Sequence, residues 1–303
     1  MSAPELQVGC FGKLPFWREY LEGGDRSVAA RELREWLRQG RELHVLESSS
    51  GDQQVTDQAF PAHLRVLLSL PGADDLLVGI VRPSRDGGGR HAPFSVFARL
   101  PRRFYGKHYG LLPSSLGPVW TALDDTWDRL HEIPSRELFE EACESLEVPA
   151  PVEVKMARGA YQGRQLDDAG KLFDRQALET LRGAMPDLLG AIKKGSRDVC
   201  VALPAAVEVD EACFNASMWI DLVNRQFRLR RYDPSVFLDS REGLGDRQVY
   251  LKFGKLNPAD YVQMFSGLSE IEGGELLRPI QPAPDGTAEP LDATYKQLLE
   301  TNF

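Results

Sequence analysis

The sequence predicts an α/β (α+β) chain: a mostly antiparallel sheet flanked by helices, with a helical insertion in the middle. Three observations carry that prediction. The stretch PSRDGGGRHAP lies between two apolar, strand-like runs and reads as a hairpin. Further short apolar runs cluster toward the C-terminal end, as antiparallel strands do. Regular βαβ spacing is absent, which argues against a Rossmann-like layout. Residues 1–278 are expected to form the main domain, with the insertion at about 135–195 and a Pro-rich linker plus short helix at 279–303.

In chain order, Leu6–Phe11 is an apolar run stopped by Gly12 and Pro15, a strand entering a turn. Ser27 can cap a helix whose Ala30, Leu33, Trp36 and Leu37 share one face, with Gly40 placed near its end. Leu64–Leu70 and Leu76–Val81 flank the turn signal PGADD, and Phe94–Leu100 alternates as a strand. Val119, Trp120, Leu123, Trp127 and Leu130 recur at helical spacing. Helical patterning continues from Ser135 to Lys194. Strands are expected at Val199–Leu203, Ala216–Leu222, Phe227–Tyr232 and Val249–Phe253, and Asn257-Pro258 starts a helix carrying Tyr261, Val262 and Phe265. FGKL occurs at Phe11–Leu14 and again at Phe253–Leu256, a recurrence short enough to arise by chance.

Composition narrows the function. The chain has 303 residues, 42% of them hydrophobic, and a net charge of -9, so an acidic surface would repel nucleic-acid phosphates and anionic membranes. No run approaches the roughly 18 apolar residues of a membrane span. The opening MSAPELQVGCFGKLP has neither a basic nor an apolar signal region. Four dispersed cysteines, Cys10, Cys143, Cys200 and Cys213, suit reduced, mostly buried thiols in the cytoplasm.

Catalytic motifs are missing. Gly12-Lys13 lacks the rest of a P-loop, Gly243-Leu244-Gly245 lacks the third glycine of a dinucleotide fingerprint, and Gly87–Gly89 reads as a turn. The five histidines form no metal-binding pair, and no GxSxG elbow occurs. Asp124, Asp125 and Asp128 could converge on a metal or do acid/base work, but their helix face reads as solvated. RRFYGKHY (Arg102–Tyr109) and RQFRLRRY (Arg225–Tyr232) read as surface strands or protein-contact patches rather than nucleic-acid sites. No catalytic, metal-binding or cofactor-binding constellation emerges from these residues, although a Ser/His/Asp triad assembled from distant positions stays open.

Three segments in order resemble the TagF (ImpM) family of type VI secretion-associated proteins. GCFGKLP at Gly9–Pro15 is similar to its opening motif, with Phe11, Gly12, Lys13 and Pro15 in place. The family's following Gly-Asp-Phe stretch is replaced here by FWREYL, which contains Phe16, Trp17 and Arg18. ELREWLRQGREL at Glu32–Leu43 looks like the family's Trp-Leu…Gly helix through Trp36. GIVRPSRDGGGRHAPFSV is similar to its signature, supplied by Pro83, Ser84, Asp86, Gly89, Arg90 and Pro93. The same residues have a bland role open to them: Asp86 can accept turn hydrogens and pair with Arg90. SMWIDL, DPSVFL and the Asn257–Phe265 helix resemble the family's C-terminal strands and last helix, so the likeness spans most of Val8 to Leu268.

The resemblance implies a cytoplasmic, non-enzymatic, post-translational repressor of type VI secretion. Its implied partner is a forkhead-associated scaffold protein, with a functional link to the threonine kinase/phosphatase pathway. The alternatives are a structural part of the apparatus or a hydrolase whose active site, with a perturbed His91 for example, follows no known motif. Trp17 and Arg18 stand where the family motif is lost and are candidate contacts; Phe16 and Trp17 could equally pack in the core.

Overall fold

The computed structural model describes residues 6–49, 63–152, 186, 190, 199–206, 208–227, 233–240, 247–266, 270–271 and 274–277. The N-terminal strands are β1 (Gln7–Gly12), β2 (Leu21–Gly24), β3 (Leu64–Leu68), β4 (Asp75–Arg85) and β5 (His91–Pro101), with helix α1 (Val28–Ser49) after β2. Short helices α2 (Arg102–Tyr105) and α3 (Leu112–Ser115) flank a 3₁₀ turn, and α4 (Gly117–His131) and α5 (Arg136–Glu144) follow. The later elements are β6 (Val199–Pro204), α6 (Val209–Phe227), β7 (Ser235–Asp239), β8 (Gln248–Lys252), α7 (Pro258–Ser266), β9 (Glu270–Ile271) and β10 (Gly274–Leu277).

Among the described residues ten strands join one sheet in the order β2-β1-β5-β4-β3-β7-β8-β6-β10-β9. Every adjacent pair is antiparallel except β6 with β10. The mostly antiparallel α/β expectation therefore holds.

Side-chain alternation sends each strand to both faces. Leu76, Val78 and Ile80 of β4, Phe94, Val96 and Ala98 of β5, and Val236 and Leu238 of β7 share a core with α3, α4, α5 and α6. Leu77 and Val81, Phe97 and Phe237 enter a second core with α1 and α7. A sheet covered on both sides yields unbroken apolar runs rather than a polar–apolar alternation. Each fully buried aliphatic side chain contributes about 1.5–3 kcal/mol. Trp36 sits at the heart of the second core, 2% exposed, 5.0 Å from the Phe237 ring and 5.3 Å from that of Tyr261.

Helix starts follow their caps. Ser27 Oγ accepts the Ala30 N–H at 3.2 Å, and Asn257 Oδ1 accepts the Ala259 N–H at 2.9 Å. Gly40 does not end α1; the helix runs on to Ser49, because Gly40 is needed as a gap for the Tyr261 ring rather than as a stop.

Two expectations fail. Ala216–Leu222, SMWIDL included, is not a strand but the middle of α6. Ala212 through Ile220 are all buried, so this helix shows no polar stripe and mimics a buried strand in sequence. Phe227 ends the same helix, while residues 228–232 of the expected next strand lie outside the described residues. RRFYGKHY is helical turn, not surface strand: Tyr109 is buried and donates to the Pro234 carbonyl at 2.5 Å, and Arg102 pairs with Asp233 at 2.8 Å. Of the insertion, α5 is helical at 136–144, and most of 153–198 lies outside the described residues, as does the 279–303 tail.

Candidate partner-contact site

The two most characteristic sequence segments meet at one end of the sheet. β1 leaves the ladder at Gly12, opposite Phe94 of β5, and turns at once: Trp17 N–H donates to the Leu14 carbonyl at 3.0 Å. The β4–β5 hairpin turns beside it, and the Gly87 N–H donates to the Trp17 carbonyl at 2.8 Å. Side chains complete the junction. Lys13 Nζ donates to Asp86 Oδ2 at 3.3 Å and to the Arg18 carbonyl at 3.0 Å, and lies 5.0 Å over the Tyr20 ring.

Asp86 organises the turn. Its Oδ1 accepts the N–H groups of Gly88 at 2.9 Å and Arg90 at 3.0 Å, and its Oδ2 accepts Arg90 Nε at 2.8 Å. Gly89 closes the loop at φ 81°, a left-handed conformation that a side chain resists. Burial by itself would raise the Asp86 carboxyl. The Arg90 side chain, the Arg90 and Gly88 backbone and Lys13 outweigh it and hold the group well below the usual carboxylate range. Both roles open to this residue in the turn, accepting backbone hydrogens and pairing with Arg90, are thus filled; the bond to Lys13 is an addition that no sequence pattern signals.

The outer surface carries different residues. Arg90 is 63% exposed in its side chain although its charge is anchored on buried Asp86. Pro15 and Arg18 are exposed, and Trp17 is half-buried with the Arg136 guanidinium 5.4 Å over its ring. Phe16 is half-buried against Phe139, ring centroids 6.4 Å apart. Phe16 and Trp17 therefore pack on the core and also reach the surface, so neither of the two roles open to them excludes the other.

Other sequence candidates sit inside. Phe11 is buried and stacks on Tyr20 at 5.0 Å. Pro83 and Pro93 face each other across the ladder, where neither has an N–H to donate. Ser84 is buried, and its hydroxyl has no hydrogen-bond partner among the described residues. Trp36 lies in the second core, where its Nε1 donates to the Asn257 carbonyl at 2.9 Å. It is a packing residue remote from the hairpin turn in bonding.

The acidic face of α4 is only partly solvated. Asp124 pairs with Arg82, which also donates to Ser240 Oγ at 2.9 Å, whereas Asp125 and Asp128 are exposed. Among the described residues no group of three metal-binding side chains converges. A groove of about 620 Å³ is lined in part by Ser114, Asp125, Asp210 and Cys213. Burial pushes the Cys213 thiol up to about 11, away from nucleophilic use. No described helix is long and apolar enough to cross a membrane.

Residues 9–139 match the family model of the TagF N-terminal domain, which is type VI secretion system-associated. That span contains both Lys13 and Asp86. No curated protein matches the chain in sequence. Among solved structures it is similar to PA0076 from Pseudomonas aeruginosa PAO1, a crystal structure at 2.05 Å, with 15% identity, a TM-score of 0.43, and coverage of 87% of this chain and 96% of that one.

Proposed function

We propose that this chain, which carries a type VI secretion-associated TagF N-terminal domain at residues 9–139, is a cytoplasmic repressor of that secretion system acting by stoichiometric binding. Its partner in this reading is the forkhead-associated scaffold protein, which it sequesters, with a functional link to the threonine kinase/phosphatase pathway. Neither catalysis nor a cofactor is required.

The observation that supports the reading is the surface where the two family segments converge. An arginine held in place by a buried carboxylate, a half-buried tryptophan and a second exposed arginine form the kind of anchor set that dominates binding energy at interfaces. Arg90 is pre-oriented by Asp86, so little side-chain freedom is lost on docking. A specific complex would bury roughly 1,200–2,000 Å² in total.

Calorimetry of the purified chain with the scaffold tests binding, and deletion of the gene tests the direction of control. One-to-one binding together with raised secretion is the expected result. No heat of binding overturns the partner. Lost secretion overturns repression and favours a structural component of the apparatus.

A further inference from the structure

We propose that Cys10 and Cys143 form a reversible intramolecular disulfide, a thiol modification site driven by hydrogen peroxide. Their Sγ atoms lie 3.2 Å apart although 133 residues separate them in sequence. A disulfide requires about 2.05 Å, so closing the bond asks for a movement of roughly 1 Å.

The fold reserves room for this pair. Gly23 of β2 stands opposite Cys10 in the β1–β2 ladder. A Cβ at position 23 would lie 2.7 Å from Cys143 Sγ and 3.2 Å from Cys10 Sγ, so any larger residue would push the two sulfurs out of place. Three elements, β1, β2 and the last turn of α5, thus converge on the two thiols.

Access divides the labour between them. Cys143 is partly exposed and Cys10 is fully buried. The hydrogen bond shared with Cys10 lowers the Cys143 thiol from its ordinary value, while the same bond, together with burial, raises Cys10. Cys143 is therefore the sulfur that peroxide meets, and Cys10 is the resolving sulfur beside it. In the first step the Cys143 thiolate attacks peroxide: an S–O bond forms, the O–O bond breaks, and hydroxide leaves and takes up the thiol proton as water. In the second, Cys10 sulfur attacks Cys143 sulfur: the S–S bond forms, the S–O bond breaks, and a second water leaves with the Cys10 proton. Peroxide gains two electrons, one drawn from each sulfur. The bond would fasten α5, which carries Phe139 and Arg136 against Phe16 and Trp17, to β1.

The test treats the reduced full-length chain with hydrogen peroxide, blocks remaining thiols, and maps peptides without reduction. The expected product is a Cys10–Cys143 peptide with the loss of two hydrogens, reversed by dithiothreitol. It should form at least about tenfold faster than in the urea-unfolded chain, because the fold holds the sulfurs within reach. In C10A the expected product is a sulfenic acid on Cys143, trapped by dimedone; in C143S no crosslink should form. Equal rates folded and unfolded, crosslinks through Cys200 or Cys213, or over-oxidation of Cys143 without a crosslink would overturn the proposal, and the wild-type measurement decides it even if a variant fails to fold.

Discussion

Lys13 and Asp86, 73 residues apart in sequence, meet through a 3.3 Å ion pair in which the lysine side chain is 9% exposed and the carboxylate 0%. This pair links the turn after β1 to the β4–β5 hairpin, and it gives a stability role to two residues that enter the sequence reading as motif positions of the family resemblance. The exposed Arg90 on the same carboxylate is left as the more direct candidate for binding.

Replacing Asp86 with asparagine should destabilise the chain by about 2–4 kcal/mol: the amide oxygen can still accept the Gly88 and Arg90 N–H groups, but Lys13 loses its buried counter-charge and an NH2 donor replaces the oxygen that accepts from Lys13 and Arg90. The folded-state carboxyl is depressed, so its contribution is present above the unfolded-chain value of about 3.9 and is lost as pH falls below it toward the folded-state value. Urea unfolding at stepped pH should show the wild type losing stability on acidification in that window and D86N losing less.

Arg90→Ala should behave in the opposite way. The side chain is largely exposed and Lys13 stays on the same buried carboxylate, so the loss should be smaller than in D86N, about 1–2 kcal/mol. Scaffold binding should weaken by at least about tenfold, as for a truncated interface arginine. Trp17→Ala should also weaken binding, with a larger loss of stability because its ring packs on the core. Calorimetry and thermal unfolding on the same preparations separate the two effects; unchanged affinity in both variants would remove this surface from the interface.

Gly40→Ala sets helix propensity against packing. Alanine is favoured by about 1 kcal/mol within a helix. Yet its Cβ would stand 2.4 Å from Tyr261 Cγ in a packed core, and overpacking costs about 1–3 kcal/mol. The expected outcome is a net destabilisation, read as a lower urea midpoint.

Lys252 and Asp260 form a fully buried pair, 2.8 Å apart, between β8 and the first turn of α7. Lys252→Met should cost about 3–5 kcal/mol by leaving the carboxylate without its counter-charge. Adding Asp260→Asn should recover part of that loss, since the neutral amide can still accept the Asn257 N–H. A double-mutant cycle in urea measures the coupling, and purely additive losses would show that the pair is not coupled.

Much of the sheet was legible because its signals are local. The β4–β5 hairpin followed from three glycines between apolar runs, and the Asp86–Arg90 pair from turn chemistry. α6 reads as a strand over Ala216–Leu222 because a helix buried along most of its length loses its 3.6-residue period; only its length, Val209–Phe227, tells it from a strand. β2 escaped notice since LEGG has almost no β propensity and is held as a strand by its partner β1. The Lys13–Asp86 and Arg82–Asp124 pairs are long-range and leave no spacing to find. Arg82 is why Asp124 is not the free surface carboxylate that its helix face suggests.

The strand order also sets a timetable for synthesis. One edge of β3 is covered by its neighbour β4, but the other must await β7; the Ser69 N–H that ends in a bond to Ser235 Oγ meets its acceptor 166 residues later. At roughly 5–20 residues per second, a ribosome leaves that edge bare for about 8–30 s. Throughout that interval an apolar strand, LRVLL, offers open backbone groups to any passing chain. A chaperone that shields this edge would act in the interval that ends when β7, beginning at Ser235, has been made.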